Sequence, residues 1–289
     1  MLIRRSIIAL LGIATSLRAQ APTDIYLARL TVQNGRLSVG TPANFTNRPG
    51  YDNQPSFTPD GRAVLYTSTR EDAQSDIYRY DITAKTITRV TDTPESEYSA
   101  TVMPGGKRFS VIRVERDSAQ RLWSFALDGS DPELVIESLK PVGYHVWVDS
   151  NTVAMFVLGS PNALVFGDLR TKKMDTLARG IGRSLAQLPT TRGFSFTQIV
   201  DSAGLVRALT RPGGKRTDVV TLPRRVQDLA WLSNGSLLIG SGSKLMIWKP
   251  GASGFSDVVD FAAAGITDIT RLAVSPDGQW LAFVAVPRP

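Results

Sequence analysis

The sequence contains no cysteine and only one histidine, His145, among its 289 residues. Disulfide frameworks, thiolate metal sites, cysteine nucleophiles and metal sites built from several histidines are therefore excluded. A Ser-His-Asp triad would have to use His145, and no serine lies in a Gly-x-Ser-x-Gly nucleophile elbow. We predict that His145 packs, or forms a hydrogen bond, beside an inner strand of a sheet.

The chain also lacks an uninterrupted apolar run of the roughly 20 residues that a transmembrane helix needs. The apolar segment 6–14 follows two arginines and precedes small residues at Ala19 and Ala21, which is the pattern of a secretory signal peptide. We predict a signal peptide over residues 1–20 and a periplasmic or secreted domain over residues 21–289. No transmembrane segment is expected after cleavage.

The excess of positive charge is small. The formal net charge of +7 falls to +4 when residues 1–19 are removed, because this segment contains three arginines and no acid. The remaining basic residues are scattered through turns and are not interleaved with aromatic residues, which argues against nucleic-acid binding. With 42% apolar residues, the chain can bury one substantial core.

A repeated β-hairpin organises the chain. Residues 53–68 read as an alternating strand, a Pro-Asp-Gly turn and a second strand, and the same construction returns over residues 272–283. One turn marker can be assigned to each of six repeats: Gly61, Gly106, Asn151, Gly193, Gly235 and Gly278. Their spacing of 45, 45, 42, 42 and 43 residues is typical of propeller blades. We interpret Asn151 as a substitute for glycine, since asparagine tolerates positive φ.

The two ends of the chain predict how the ring closes. The last repeat stops after its second strand, whereas Asp24-Ile25-Tyr26 matches Asp76-Ile77-Tyr78, the third strand of the first full repeat. Residues 36–39 can supply a fourth strand. We therefore predict an all-β, six-bladed β-propeller with four-stranded blades, in which N-terminal strands complete the last, C-terminal blade.

Several motifs resemble the TolB-type, WD40-like propeller repeat, which also occurs in the propeller domains of prolyl-oligopeptidase-like proteins. They are Phe57-Thr-Pro-Asp-Gly-Arg, Thr67-Ser-Thr-Arg, Asp76-Ile-Tyr and Arg89-Val-Thr. The resemblance covers residues 51–135 and 266–289 and is thin between them. From this sequence we expect no counterpart of the additional N-terminal domain of TolB or of the C-terminal hydrolase domain of the peptidases. The resemblance therefore implies the scaffold and a binding role.

In a propeller, the first residues of the innermost strands converge at one mouth of the central channel. Counting back from the turn markers predicts a ring of polar and aromatic ligand-binding residues: Asp52, Asn53, Glu97, Tyr98, Tyr144, His145, Arg183, Gln227, Asp228 and Arg271. Asp228 or Glu97 could bind an amine, and Arg271 or Arg183 could bind a carboxylate in a charge-assisted pair.

These observations favour a monomeric, non-catalytic scaffold that binds a protein, peptide or other ligand in the cell envelope without a cofactor. One alternative is a lactonase-like hydrolase that uses a divalent cation such as Ca²⁺ in the channel. Its oxygen ligands would come from Asp52, Asn53, Glu97, Gln227 and Asp228. Another alternative is a relic of a prolyl-oligopeptidase-like peptidase that retains only the propeller gate.

Overall fold

Segments of alternating apolar and polar residues form strands along the whole described chain. The computed structural model describes residues 21–70, 73–210 and 214–286, so the predicted signal peptide at 1–20 lies outside the described residues. Within these ranges the helical structure is limited to a 3-10 turn at Ala262–Ala264. None of the helical structure in the described part of the chain is long and apolar enough to span a bilayer.

The strands form six small antiparallel sheets. The first strands along the chain are β1 (Asp24–Gln33), β2 (Arg36–Val39) and β3 (Ala43–Asn44). Blade 1 follows with β4 (Tyr51–Phe57), β5 (Ala63–Thr69), β6 (Ser75–Asp81) and β7 (Thr86–Arg89). Blade 2 comprises β8 (Ser96–Val102), β9 (Arg108–Val114), β10 (Gln120–Ala126) and β11 (Glu133–Leu134).

The remaining blades repeat this order from the innermost to the outermost strand. Blade 3 comprises β12 (Val142–Trp147), β13 (Thr152–Val157), β14 (Ala163–Asp168) and β15 (Lys173–Arg179). Blade 4 comprises β16 (Ile181–Gln187), β17 (Phe194–Val200), β18 (Ala203–Leu209) and β19 (Arg216–Thr221). Blade 5 comprises β20 (Ala230–Trp231), β21 (Leu237–Ser241), β22 (Lys244–Trp248) and β23 (Ser256–Asp260).

Blade 6 is built from both ends of the described chain, as predicted. Strands β24 (Thr267–Val274) and β25 (Trp280–Val286) are continued by β1 and β2, and the short β3 also pairs with β1. Tyr26 pairs with Phe283 in the antiparallel register, and their rings stack with centroids 5.5 Å apart. The prediction of a six-bladed propeller closed by the N-terminal strands is therefore confirmed.

The core is divided among the interfaces between blades. Six clusters of buried apolar side chains are present, and each joins one blade to the next around the ring. All five tryptophans belong to these clusters or pack against them. Bulky side chains fill the wedge between adjacent twisted sheets, and this packing keeps the innermost strands around one channel.

The turns show one error in the sequence interpretation. Gly61, Gly106, Gly235 and Gly278 have φ values between 67° and 81°, as expected for turn glycines. Asn151 does not have a positive φ, so its interpretation as a glycine substitute is wrong. Its backbone N–H instead donates to Asp149 Oδ1 over 2.9 Å, and this side-chain bond organises the turn.

The marker of blade 4 was also misplaced. In blade 1, the N–H of Thr58 donates to the carbonyl of Ala63 over 2.9 Å, and in blade 4 the N–H of Leu188 donates to Gly193 over 3.1 Å. Gly193 therefore corresponds to Ala63 and not to Gly61, a shift of two residues. Position 184 rather than 186 is then equivalent to the predicted mouth positions of the other blades.

Candidate functional site

A ring of six equivalent residues surrounds one end of the channel. In each blade the turn begins at the residue whose N–H closes it, which is Thr58 in blade 1 and Leu188 in blade 4. The residue four positions earlier is equivalent in all six blades: Gln54, Ser99, Tyr144, Ser184, Asp228 and Arg271. All six line a single cavity of about 190 Å³. We call them the ring residues, and we call this end of the channel the polar mouth.

β-Bulges occur in the innermost strand of five blades, at or beside the ring residue. The ladder between β4 and β5 shifts between Asn53 and Ser56, and comparable shifts occur in β8, β12, β16 and β24. Gln54, Ser99 and Arg271 have φ values of 56°, 57° and 49°. Because a bulge adds an unpaired residue and bends its strand, it can turn a side chain away from the sheet surface.

Ring residues also hold the bulge of the next blade. Gln54 Oε1 accepts a hydrogen bond from the N–H of Ser99 over 2.8 Å and another from the Thr67 hydroxyl over 3.0 Å. Asp228 and Arg271 likewise connect blades 5 and 6, with Arg271 Nη1 3.6 Å from a carboxylate oxygen of Asp228. The polar mouth is therefore a connected structure and not a set of independent strand ends.

The charges of the mouth lie on Arg183, Asp228 and Arg271. Arg183 binds Asp228 in a bidentate pair, with Nε and Nη2 at 3.0 and 2.6 Å from the two carboxylate oxygens. Arg271 Nη1 lies 3.6 Å from Asp228, and its Nη2 donates to the Tyr144 hydroxyl over 2.7 Å. Burial favours a higher pKa for Asp228, but hydrogen bonding from Arg183 and the charge of Arg271 hold this pKa below its ordinary value.

The cavity has an excess of positive charge. Its charged lining residues are two arginines and one carboxylate, and the arginine side chains remain 30% and 15% exposed. The guanidinium of Arg271 also packs 4.8 Å from the centre of the Tyr144 ring, which orients it. This arrangement is suited to binding an anion with a planar, two-oxygen group such as a carboxylate.

Tyr51 belongs to the same surroundings, although it was not among the predicted residues. Burial raises its pKa, the charges of Arg271 and Arg183 act in the opposite direction, and Tyr144 and Tyr98 contribute a further increase. These interactions place Tyr51 near the two arginines and near Tyr98, but neither Tyr51 nor Tyr98 lines the cavity. The count from the turn markers took only two positions in each repeat and therefore missed Tyr51. Tyr51 is the first residue of β4 and directly precedes the predicted residue Asp52, so the sequence could have included it.

His145 lines the channel between its two ends. Its Nε2 is 2.7 Å from Ser110 Oγ, which also accepts the indole N–H of Trp147 over 2.8 Å. This agrees with the expectation of a packed, hydrogen-bonded histidine. Burial lowers the pKa of His145 to about 4, so the ring is neutral near pH 7. Its Nδ1 is buried without a partner, so Ser110 and His145 lack the third group that orients a catalytic pair.

The other predicted residues lie outside this cavity. Buried Asp52 pairs with Arg48 over 3.1 Å, and Asn53 Nδ2 donates to Thr23 Oγ1 over 3.2 Å. Glu97 pairs with Arg113 over 3.0 Å, and burial raises the pKa of Glu97 to about 7. Thus Tyr144, His145, Arg183, Asp228 and Arg271 share the cavity, whereas Asp52, Asn53 and Glu97 stabilise the strands behind it.

Gln227 and the acidic residues complete the comparison with the sequence. Gln227 lines two side cavities beside the polar mouth. No group of three or more histidine, aspartate or glutamate residues that could hold a metal ion occurs in the described ranges. Asp52, Glu97 and Asp228, three of the oxygen donors considered for Ca²⁺, each interact with an arginine instead.

The opposite end of the channel has a different chemistry. A cavity of about 760 Å³ is lined there by a second set of equivalent residues: Phe57, Val102, Trp147, Gln187, Trp231 and Val274. His145 lines both cavities and marks their boundary. The channel therefore has one polar, cationic mouth and one wide, mainly apolar mouth.

Six four-stranded blades around a channel define the class of this protein as a six-bladed β-propeller. No protein-family model matches the chain. Solved structures similar to it include a TolB candidate from Agrobacterium tumefaciens, with a TM-score of 0.72 and 13% identity over 92% of this chain and 99% of that one. TolB from Acinetobacter baumannii has a TM-score of 0.53 and 18% identity over 67% of this chain.

The latter alignment covers 51% of the A. baumannii chain, so the present protein corresponds to about half of that TolB. A gluconolactonase from Xanthomonas campestris is also similar, with a TM-score of 0.64 and 11% identity over 93% of this chain and 98% of that one. At these identities, the similarities show a common fold. The fold is shared by proteins of different function, so the residues of the site have to carry the functional inference.

Proposed function

We propose that this protein is a non-catalytic binding propeller of the cell envelope, which captures a carboxylate of a protein or peptide partner at the polar mouth. One observation carries the proposal: Arg183 and Arg271 share a single carboxylate, that of Asp228. The mouth therefore keeps an uncompensated positive charge. An incoming carboxylate would find two oriented guanidinium groups, whereas an amine would be repelled.

Asp228 prepares this site for an anion. It holds Arg183 through two hydrogen bonds, and the Tyr144 hydroxyl holds Arg271, so neither arginine has to be ordered when a ligand binds. Less conformational entropy is then lost on binding. The expectation that Asp228 itself binds an amine is not favoured, because its oxygens are occupied.

The remaining parts of the proposal come from the sequence and from the shared fold. The signal-peptide pattern at residues 1–20 supports export, and the similarity to TolB structures supports a role in the envelope. Carboxylate capture requires neither a cofactor nor an oligomer, so we propose a monomer that acts alone. A protein or peptide partner is favoured because carboxylates are presented by its acidic side chains and by its C-terminus.

The proposal can be tested with a random hexapeptide library that has free carboxyl termini. The purified protein should retain peptides from this library, and Arg271→Gln should reduce their retention about tenfold, because one charge-assisted contact is lost. Arg271→Lys should retain part of the binding. The matched control is Arg207→Gln. Arg207 lies on β18, away from the mouth, and its Nε is 2.8 Å from Asp218 Oδ1 on β19.

A second variant tests the direction of the charge effect. Asp228→Asn removes the negative charge that competes with an added anion, while the amide oxygen can still accept a hydrogen bond from Arg183, so library retention should rise. Stability should fall by about 1–3 kcal/mol, since hydrogen bonds to a buried charged group are lost. Equal retention by the wild-type protein, Arg271→Gln and Asp228→Asn, with unfolding curves confirming folded proteins, would refute carboxylate capture at this mouth.

A further inference from the structure

A separate apolar cavity of about 420 Å³ opens beside the polar mouth, between blades 3 and 4. Its apolar lining comes mainly from Phe156, Leu158, Ile181, Ile199 and Val226. Gly182 leaves space in its wall, because a Cβ added there would lie 3.4 Å from the Thr197 Cβ and 3.6 Å from the Ile199 Cδ1. The cavity is large enough for a bulky side chain.

The exposed apolar wall indicates that this cavity receives a ligand. Leu158 and Ile199 remain 39% and 46% exposed and rank among the few exposed large apolar residues of the described chain. The methyl group of Thr197 adds to this wall, because its Cγ2 would lie 3.5 Å from a Cβ added at Gly182. A concave apolar wall of this kind is suited to an apolar side chain.

The apolar cavity adjoins the polar mouth. Arg183 and Tyr144 line both, so the same guanidinium that faces the mouth also borders the apolar wall. A ligand that uses both cavities must therefore carry a carboxylate and an apolar group very close together. Charge complementarity with Arg183 and Arg271 requires the carboxylate to be in the polar mouth.

We propose that the occupant is the C-terminal residue of a partner polypeptide, with its α-carboxylate on Arg183 and Arg271 and a large apolar side chain in the cavity beside them. This inference rests on the proposed function and specifies its ligand. Only a terminal residue carries both groups on one Cα. In an extended peptide, neighbouring side chains point to opposite faces, so an internal acid followed by an apolar residue would separate the two groups.

The polar mouth has room for the α-carboxylate, since its cavity measures about 190 Å³. The rest of the partner would leave across the open face of the propeller.

The test uses the free-carboxyl hexapeptide library and an otherwise identical library that is amidated at the C-terminus. Retained peptides are sequenced by mass spectrometry. Leucine, isoleucine, methionine and aromatic residues should be enriched about fivefold to tenfold over alanine and serine at the last position, and amidation should remove both retention and enrichment. One selected peptide and its alanine-ended analogue then serve as probes in fluorescence anisotropy.

Variants of the apolar cavity should affect one probe and not the other. Leu158→Ser with Ile199→Ser, and separately Gly182→Val, should weaken the selected peptide about tenfold and leave the alanine-ended analogue unchanged. The serine changes are at exposed positions, and the valine fits an extended strand, so folding should be retained. Ile87→Ser on β7 is the matched control, since Ile87 is 36% exposed and remote from the mouth.

Failure of this inference can be separated from failure of the proposed function. Retention that depends on Arg271 but shows no preference at the last position would overturn the terminal-residue inference and leave carboxylate capture intact. The same conclusion would follow if amidated peptides bound equally through internal acidic residues. Retention that is independent of both amidation and Arg271 would overturn both.

Discussion

At the scale of single residues, the buried ionisable groups fall into two kinds. Asp52, Glu97 and Asp228 each face an arginine within 3.1 Å. His145 has no charged partner, and burial alone lowers its pKa to about 4. The carboxylates therefore participate in ion pairs, whereas the histidine behaves as a neutral polar core residue that has to remain uncharged.

This difference predicts how stability depends on pH. The pKa of His145 rises from about 4 in the folded state to about 6.5 in the unfolded chain, so the unfolded chain binds more protons between these values. The stabilisation is present above about pH 6.5 and is lost as the pH falls towards 4. By about pH 5 the loss should be about 2 kcal/mol, measured by urea unfolding.

The control is the same experiment on His145→Gln. Glu97 has a raised pKa and contributes with the opposite sign, because its stabilisation is lost as the pH rises from about 4.5 to about 7. The decisive quantity is therefore the difference between wild type and His145→Gln. A difference that does not change between about pH 8 and about pH 5 would contradict a neutral, buried His145.

At the scale of elements, the bulged innermost strands explain why one ring is formed from six dissimilar sequences. The bulge recurs in the innermost strands of five blades, but its backbone conformation differs between them. Ser99 has a φ of 57°, whereas Ser184, the equivalent residue of blade 4, does not have a positive φ. Two serines at the same position of the repeat thus bear different backbone strain.

This pair gives a matched test of the strain. Ser99→Gly removes the penalty of left-handed backbone for a side chain whose Oγ has no partner, so it should stabilise the protein by about 0.5–1 kcal/mol. Ser184→Gly gains nothing of this kind and should destabilise by about 0.5–1 kcal/mol through backbone entropy. Thermal unfolding of both variants would show the opposite signs, and equal shifts would contradict the bulge geometry.

At the scale of the whole molecule, stability depends on the closing blade. β1 lies between β25 and β2, and its side chains contribute to the clusters on both sides of blade 6. Without β1, strand β25 would be an exposed edge, and two of the six apolar clusters would be incomplete. The N-terminal strand thus has the same structural role as a strand in the middle of the sequence.

Two substitutions within β1 separate this role from that of an ordinary terminal segment. Ile25 is fully buried, so Ile25→Ala should cost about 2–5 kcal/mol, whereas Val32 is 60% exposed and Val32→Ala should cost less than about 0.5 kcal/mol. Urea unfolding with an unchanged m-value would measure both. Similar small costs at the two positions would refute the closure.

The sequence by itself determined the repeat, the number of blades and the shared closing blade. The period of the hairpins and the match between Asp24-Ile25-Tyr26 and Asp76-Ile77-Tyr78 are local patterns that follow from the turns and from strand alternation. The same counting brought Tyr144, Asp228 and Arg271 to the mouth. It gave the wrong residue in blade 4, because Gly193 takes the place of Ala63 in a turn of the same length. The conformation of Asn151 was also misjudged, because the side chain of Asp149 holds that turn.

Only the tertiary structure decided which polar residues share the mouth and which are used behind it. Asp52 and Asn53 are neighbours of Gln54 in sequence, but a bulge separates their side chains, and Asp52 pairs with Arg48 away from the cavity. The distribution of charge between Arg183, Asp228 and Arg271 likewise depends on contacts between residues more than 40 positions apart. Such contacts arise because the propeller brings equivalent positions of successive blades side by side, which no local pattern encodes.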